Sequence, residues 1–323
     1  MKILKKLAVL TISFAFVGAF AQEEGEVLGE YGAITVKKVN VVKQINGKDS
    51  TVAMKIAYID SKSNETVEIA EDVEVDSVDY DRDYSGEYGK PGTLMLPFDF
   101  PSGCLSEFGQ IYEMTGIGIN GQNTWQIDTK NMGSNGEFVA NRPYFVRPNR
   151  ERMIFPAWCA SKVVMKKNVG ADTKVTFYNW EFRGQYSYKA WEEGDPDIGY
   201  VYGFAAKAKE VDGKQIQEGQ FVKVKAGAYI RPFRAYLMYN KSTVLTKKGA
   251  NATLASLEAD DLPSSIEVVF HDDEGTTAIY MLNPHTGEFS TATGWYDMKG
   301  RKLDKKPTIK GTYFNNGKKI VIK

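Results

Sequence analysis

Alternation of apolar and polar residues dominates this chain. Val52, Met54, Ile56 and Tyr58 share one parity and Ala53, Lys55 and Ala57 the other, the pattern of a half-buried strand. The strand follows VKKVNVVKQI and the dipeptide Asn46-Gly47, whose easy access to positive φ predicts a tight hairpin. Val67-Glu68-Ile69 and Val73-Glu74-Val75 continue in the same style, and Thr93-Leu94-Met95-Leu96 runs into Pro97, which has no N–H to donate to a ladder. Further on, Val222 and Val224 oppose Lys223 and Lys225, and Ile266, Val268 and Phe270 alternate again. Only Thr253–Asp261 carries a weak helical period. Many short strands punctuated by Gly, Pro and Asn predict an all-β protein, a β-sandwich or jelly-roll-like module with a short β segment at its C-terminus.

One stretch is richer in rings than the rest. Tyr178, Trp180, Phe182, Tyr186 and Tyr188 share a parity, with Gly184 among them and Asn179, Glu181, Arg183, Gln185 and Ser187 opposite. In a strand these rings line one face. Buried, that face is the sandwich core, which the alternation rule favours. Exposed, it is a platform on which sugar rings stack. Tyr186, Tyr188, Trp191 and Tyr200 are the candidate carbohydrate-binding residues, Trp191 and Tyr188 ahead of Trp180 because they lie toward a loop.

The two ends of the chain read as addresses. Met1–Ala21 has Lys2, Lys5 and Lys6, an apolar run from Leu7 to Phe20, and Ala19-Phe20-Ala21 before Gln22. This is the pattern of a signal peptide cleaved before Gln22, its apolar run shorter than the ~20 residues a membrane span requires. No Cys stands at the cleavage site, and no later segment is apolar enough to span a bilayer. At the other end, residues 294–323 hold nine Lys or Arg and two Asp, and finish in a strand with Ile320 and Ile322 on one face.

Trp295-Tyr296-Asp297-x-x-Gly300-Arg301-x-Leu303, then Lys310-Gly311-x-Tyr313, then Lys319-x-Val321-x-Lys323, resembles the C-terminal sorting signal of type IX secretion cargo. The resemblance implies a protein carried across the outer membrane of a Gram-negative bacterium by the type IX machinery, to remain on the surface or be released. A second resemblance covers residues 70–240. It rests on Tyr80-x-Arg82-x-Tyr84, Thr93-Leu94-Met95-Leu96-Pro97-Phe98-Asp99, Tyr112 before Gly116, Arg142-Pro143-Tyr144-Phe145-Val146, Gly184-x-Tyr186 and Arg231-Pro232-Phe233-Arg234-Ala235-Tyr236. In that order these are similar to a β-rich module found near the C-termini of surface proteins bearing such tails. The organisation expected is a signal peptide (1–21), a β-hairpin lead-in (22–70), a β-sandwich module (71–240), a linker with short strands (241–293) and the sorting segment (294–323).

Composition narrows the chemistry. The whole chain is formally neutral, and losing the three signal-peptide lysines leaves about −3, which gives no support for nucleic-acid binding. At 42% hydrophobic and 12% aromatic the chain can bury a substantial core. Cys104 and Cys159 are the two cysteines; an exported protein permits them to pair, stabilising by about 4 kcal/mol in the chain-entropy view, while the alternative is two small buried apolar side chains. The histidines are His271 and His285, no G-x-S-x-G nucleophile setting accompanies them, and two Cys and two His so widely spaced make no zinc cluster.

Gly116-Ile117-Gly118-Ile119-Asn120-Gly121 matches the dinucleotide pattern, but the strand-like Trp125-Gln126-Ile127 follows where a helix is needed, so it reads as a glycine-rich β-turn. Asp79, Asp81 and Asp83 alternate as calcium-loop carboxylates do, yet Tyr84 and Lys90 stand where an EF-hand has Gly and Glu. Glu192, Glu193, Asp195 and Asp197 crowd one Gly/Pro turn without selecting a catalytic pair. The expectation is a non-catalytic surface protein without a cofactor, a structural or adhesive envelope component. The alternative is a carbohydrate-binding module that captures polysaccharide.

Overall fold

The computed structural model describes residues 25–45, 48–84, 89–100, 109–120, 124–133, 136–156, 162–211, 214–241 and 257–271, and seven short pieces between 280 and 322. Its strands are β1 (Glu26–Glu30), β2 (Ile34–Ile45), β3 (Lys48–Ile59), β4 (Val73–Val75), β5 (Ser77–Tyr80), β6 (Gly92–Leu94), β7 (Gly109–Ile119), β8 (Trp125–Asn131), β9 (Tyr144–Pro148), β10 (Met153–Pro156) and β11 (Val163–Met165). There follow β12 (Lys174–Phe177), β13 (Trp180–Gln185), β14 (Lys189–Ala190), β15 (Val201–Phe204), β16 (Lys209–Val211), β17 (Lys214–Ile216), β18 (Phe221–Lys223), β19 (Tyr229–Ile230), β20 (Arg234–Tyr239) and β21 (Ser265–His271). The chain ends with β22 (Tyr280–Leu282), β23 (Phe289–Thr291), β24 (Trp295–Tyr296), β25 (Lys302–Leu303), β26 (Gly311–Asn315) and β27 (Lys318–Ile322).

The fold is all-β, as the alternation predicts. A 3₁₀ turn at Ala259–Asp261 falls within the weak helical period. Among the described residues no helix is long and apolar enough to cross a membrane.

Two large sheets organise the body. Five strands run in the order β1-β2-β3-β5-β10, and ten in the order β12-β13-β20-β15-β18-β21-β8-β7-β9-β6. The pairings are antiparallel except β3 with β5 and β21 with β8. The ten-stranded sheet curls until its end strand β6 meets β20: Thr93 Oγ1 donates to Ala235 O and accepts from Ala235 N, both at 3.1 Å.

Inside the curl lies an aromatic core built from Tyr112, Phe145, Trp180, Phe182, Tyr202, Phe221 and Leu237. Phe145 stacks on Phe182 with centroids 4.7 Å apart, and Trp180 meets Tyr202 and Tyr239 edge-on. A second core, with Ile34, Ile59, Val78, Tyr80, Phe98 and Phe233, joins the five-stranded sheet to the outside of the curl. Strand β9 separates the two cores, because its period of two sends Phe145 to one and Tyr144 and Val146 to the other.

This arrangement corrects the expected boundaries. The hairpin of β2 and β3 forms with Ile45 opposite Lys48, and the Asn46-Gly47 dipeptide lies outside the described residues. The hairpin is not a separate lead-in, however, since β3 pairs with β5 and the 70/71 division falls inside one sheet. The segment 241–293, expected as a linker with short strands, supplies β21, which sits between β18 and β8 in the ten-stranded sheet. Ala57 belongs to the buried side, not to an exposed face, because the base of the hairpin is covered on both faces. Val67 and Ile69 are buried but belong to no strand. Their backbone groups are taken by Tyr186 O, by Asn168 Oδ1 and by Asn168 Nδ2 at 2.7–2.9 Å, as buried polar groups require.

Candidate functional site: a cationic pocket outside the curled sheet

Alternation along β20 sends Ala235, Leu237 and Tyr239 into the curled core and leaves Tyr236 and Met238 on the outer face. There they meet Trp191, Val201 and Val224 in a small apolar cluster. Beside this cluster opens a cavity of about 490 Å³. Among the described residues, its lining includes five cationic side chains, Arg82, Lys223, Lys225, Arg231 and Arg234, and no acidic one.

Each cation is positioned differently. Arg82 is buried, donates from Nη1 to Thr93 O at 2.8 Å, and lies 4.8 Å from the Tyr84 ring centroid. Gly92 makes room for it: a Cβ there would stand 3.1 Å from Arg82 Nη2. Lys223 donates to the Ala259 and Leu262 carbonyls at 2.7 and 2.9 Å, and burial holds its ammonium below the usual lysine value. Arg231 donates to Asn64 Oδ1 at 3.2 Å and lies over the Tyr229 ring. Arg234 has no carboxylate partner among the described residues; burial, and then the like charge of Arg82, hold its guanidinium below the usual arginine range. The indole Nε1–H of Trp191 is buried with no acceptor, an arrangement that costs free energy unless something else supplies one.

Tyr229 belongs to the lining yet is 54% exposed, which places it at the pocket's opening. It stacks on Tyr188, 38% exposed, with centroids 5.6 Å apart and planes 29° from parallel. The opening of a cationic cavity therefore carries a flat pair of accessible rings.

The other sequence candidates divide. The four-ring platform does not form, since Tyr186, Trp191 and Tyr200 are buried and Tyr188 alone of the four is exposed. The cause is the end of β13 at Gln185. Beyond it the parity argument lapses: Tyr186 turns inward to meet Phe233 and donates to Asn141 Oδ1 at 2.7 Å, burial raising its hydroxyl pKa well above the ordinary value. Tyr200 donates to Glu258 Oε2 at 3.1 Å. Trp180 and Phe182 lie in the core, as the buried alternative had it.

The alternating aspartates do not converge. Asp79 is gripped by Arg152 through Nε and Nη2 at 2.6 and 2.8 Å, Asp81 accepts from Ser61 N at 2.6 Å, and Asp83 is exposed. Among the described residues no three His, Cys, Asp or Glu side chains gather to hold a metal. Gly116 and Gly118 do not form the expected turn: they lie inside β7, paired antiparallel with β8, because the ladder with Asp128 and Gln126 runs through them. His271 ends β21 with Nε2 at 3.2 Å from Asp128 Oδ1. Around the acidic turn, Asp197 accepts from Lys189 at 2.9 Å. The signal-peptide segment 1–21, Cys104, Cys159, His285 and Lys323 lie outside the described residues.

Reading the sequence for sugar platforms missed the pocket, though its arginines were in view. Arg82 belongs to Tyr80-x-Arg82-x-Tyr84, and Arg231 and Arg234 to Arg231-Pro232-Phe233-Arg234-Ala235-Tyr236; the fold brings these two motifs together. No family model matches this chain, and neither a curated protein nor a solved structure does.

Proposed function

We propose that this chain is an exported, non-catalytic β-protein of the bacterial surface, a structural or adhesive envelope component delivered by type IX secretion. The observation that supports this reading is the form of the last residues. Strands β25, β24, β26 and β27 make a four-stranded antiparallel sheet of their own. Gly311 lies opposite Ile322, Tyr313 opposite Ile320, and Val321 opposite Thr312, so four of the residues that resemble the sorting signal, Gly311, Tyr313, Lys319 and Val321, share one paired hairpin. A segment that pairs only with itself is suited to being read by a separate machine. Deleting 294–323 should leave the body folded and abolish delivery to the surface and medium, as followed by cell fractionation and surface proteolysis. Unchanged surface delivery of the truncated chain defeats the reading.

A second reading, polysaccharide capture, is favoured by the exposed Tyr188–Tyr229 pair. Sugar C–H faces stack on such rings, and exposed paired aromatics at a cavity opening have no evident packing role. Retention on insoluble polysaccharide that falls in Tyr229→Ala supports it, whereas equal retention removes it.

A further inference from the structure

We infer that the cationic pocket binds the acidic group of an anionic glycan, with Arg234 meeting the oxyanion and the Tyr188–Tyr229 pair carrying the sugar ring. The inference rests on the polysaccharide reading above and gives that ligand its chemical class.

The argument starts from charge. Among the described residues, five cationic side chains and no acidic one line the cavity, in a chain whose Lys+Arg and Asp+Glu totals are equal, so the imbalance is local and not a product of composition. Desolvated cations are ordinarily paired, and removing water from an unpaired one is costly. Arg82 and Lys223 have their carbonyl acceptors, and Lys223 the charge of Asp260 as well, but Arg234 has no carboxylate partner among the described residues and feels the like charges of Arg82 and Arg231. An oxyanion supplies what this cavity lacks. Guanidinium is a fixed planar fork that meets carboxylate, sulfate or phosphate with two parallel N–H donors.

The second half of the argument is shape. Free inorganic anions have no use for rings, yet Tyr229 lines the cavity and is itself stacked on Tyr188. Arg231 lies over the Tyr229 ring at 5.2 Å, which holds the pair's edge against the charged wall. Flat rings beside a cationic cavity fit a pyranose that carries a carboxylate or a sulfate. Uronate and sulfated sugars share that chemistry.

The test is titration calorimetry on the full chain with four probes: a glucuronate-containing oligosaccharide, a sulfated oligosaccharide, a neutral glucose oligosaccharide and inorganic sulfate. Binding of one or both acidic oligosaccharides, at least about tenfold tighter than the neutral one, is expected, and which of the two binds identifies the acidic group. Arg234→Met should weaken acidic binding by about ten- to a hundredfold. Tyr229→Ala, at an exposed position, should weaken the oligosaccharide but leave inorganic sulfate unchanged. Neutral oligosaccharide bound as tightly as the acidic ones overturns the inference while leaving polysaccharide capture standing. Inorganic sulfate bound as tightly as the oligosaccharides, with no effect of Tyr229→Ala, overturns the glycan assignment and the capture reading with it. Absence of binding to all four probes overturns the inference outright. Melting temperature of each variant distinguishes a lost contact from a lost fold.

Discussion

Arg183 of β13 and Arg234 of β20 lie on the same face of one strand pair, Arg183 opposite Tyr236 and Gln185 opposite Arg234. Burial costs both of them. Around Arg183 that cost is offset: Glu181 bonds both Nε and Nη2, Lys174 reaches the same carboxylate at 2.9 Å, and Asn240 adds a donor at 3.3 Å. Against the lowering effect of burial, Glu181 and Tyr236 leave Arg183 above the usual arginine value. Two positions further along the pair, Arg234 is held below that value, with cations for neighbours. Among the described residues, the fold thus supplies a carboxylate to the half-buried Arg183 and none at the pocket. That unmatched charge is what the anionic ligand inferred above would meet.

The largest expected effect breaks the matched side. Glu181→Gln keeps the shape but leaves Lys174 and Arg183 without their acid, and should lower the unfolding free energy by about 2–3 kcal/mol in urea melts. A loss below about 0.5 kcal/mol would make the cluster an ordinary surface ion pair and remove one half of the contrast.

Acid titration sharpens the same point with a smaller effect. Burial pushes Glu181 up, but Lys174, Arg183 and Asn240 together hold it below the ordinary glutamate value. A depressed folded-state pKa stabilises above the unfolded value, about 4.3, and that contribution is lost as pH falls through the folded value. The stability gap between wild type and Glu181→Gln should therefore be full at neutral pH and shrink as pH drops below about 4.3. A gap that stays constant to the acid limit contradicts the assignment.

How much of this was legible beforehand follows from the period of a strand. The all-β class, the β2–β3 hairpin, the alternation of β21 and the burial of Trp180 and Phe182 are local consequences of pattern, and pattern is what a sequence displays. The site was not legible as a site. Arg82 and Arg234 are far apart in the chain and meet because the curled sheet brings β6 to β20, a closure that no local period encodes. The rings failed for the opposite reason. Their parity is visible, but Tyr186 and Trp191 lie past the end of β13, where a turn decides which way each side chain faces. Tyr188 alone kept its expected exposure, beside a partner, Tyr229, that the alternation of residues 178–188 gives no reason to choose.

The smallest expected effect carries the contrast furthest. Arg234→Met keeps most of the side chain's apolar length and removes a desolvated cation that no carboxylate repays. If the pocket charge were structural, this substitution would cost what Glu181→Gln costs. The unmatched arrangement predicts otherwise: a change in unfolding free energy of under about 1 kcal/mol, its sign toward greater stability, because the like-charge pressure from Arg82 and Arg231 is relieved. The same variant should lose the ability of sulfate, compared with chloride at equal ionic strength, to raise the melting temperature, since a ligand that binds only the folded state stabilises it in proportion to its occupancy. A strongly destabilised Arg234→Met would mean that Arg234 holds the strand pair together, and the two arginines would then differ in partner but not in purpose.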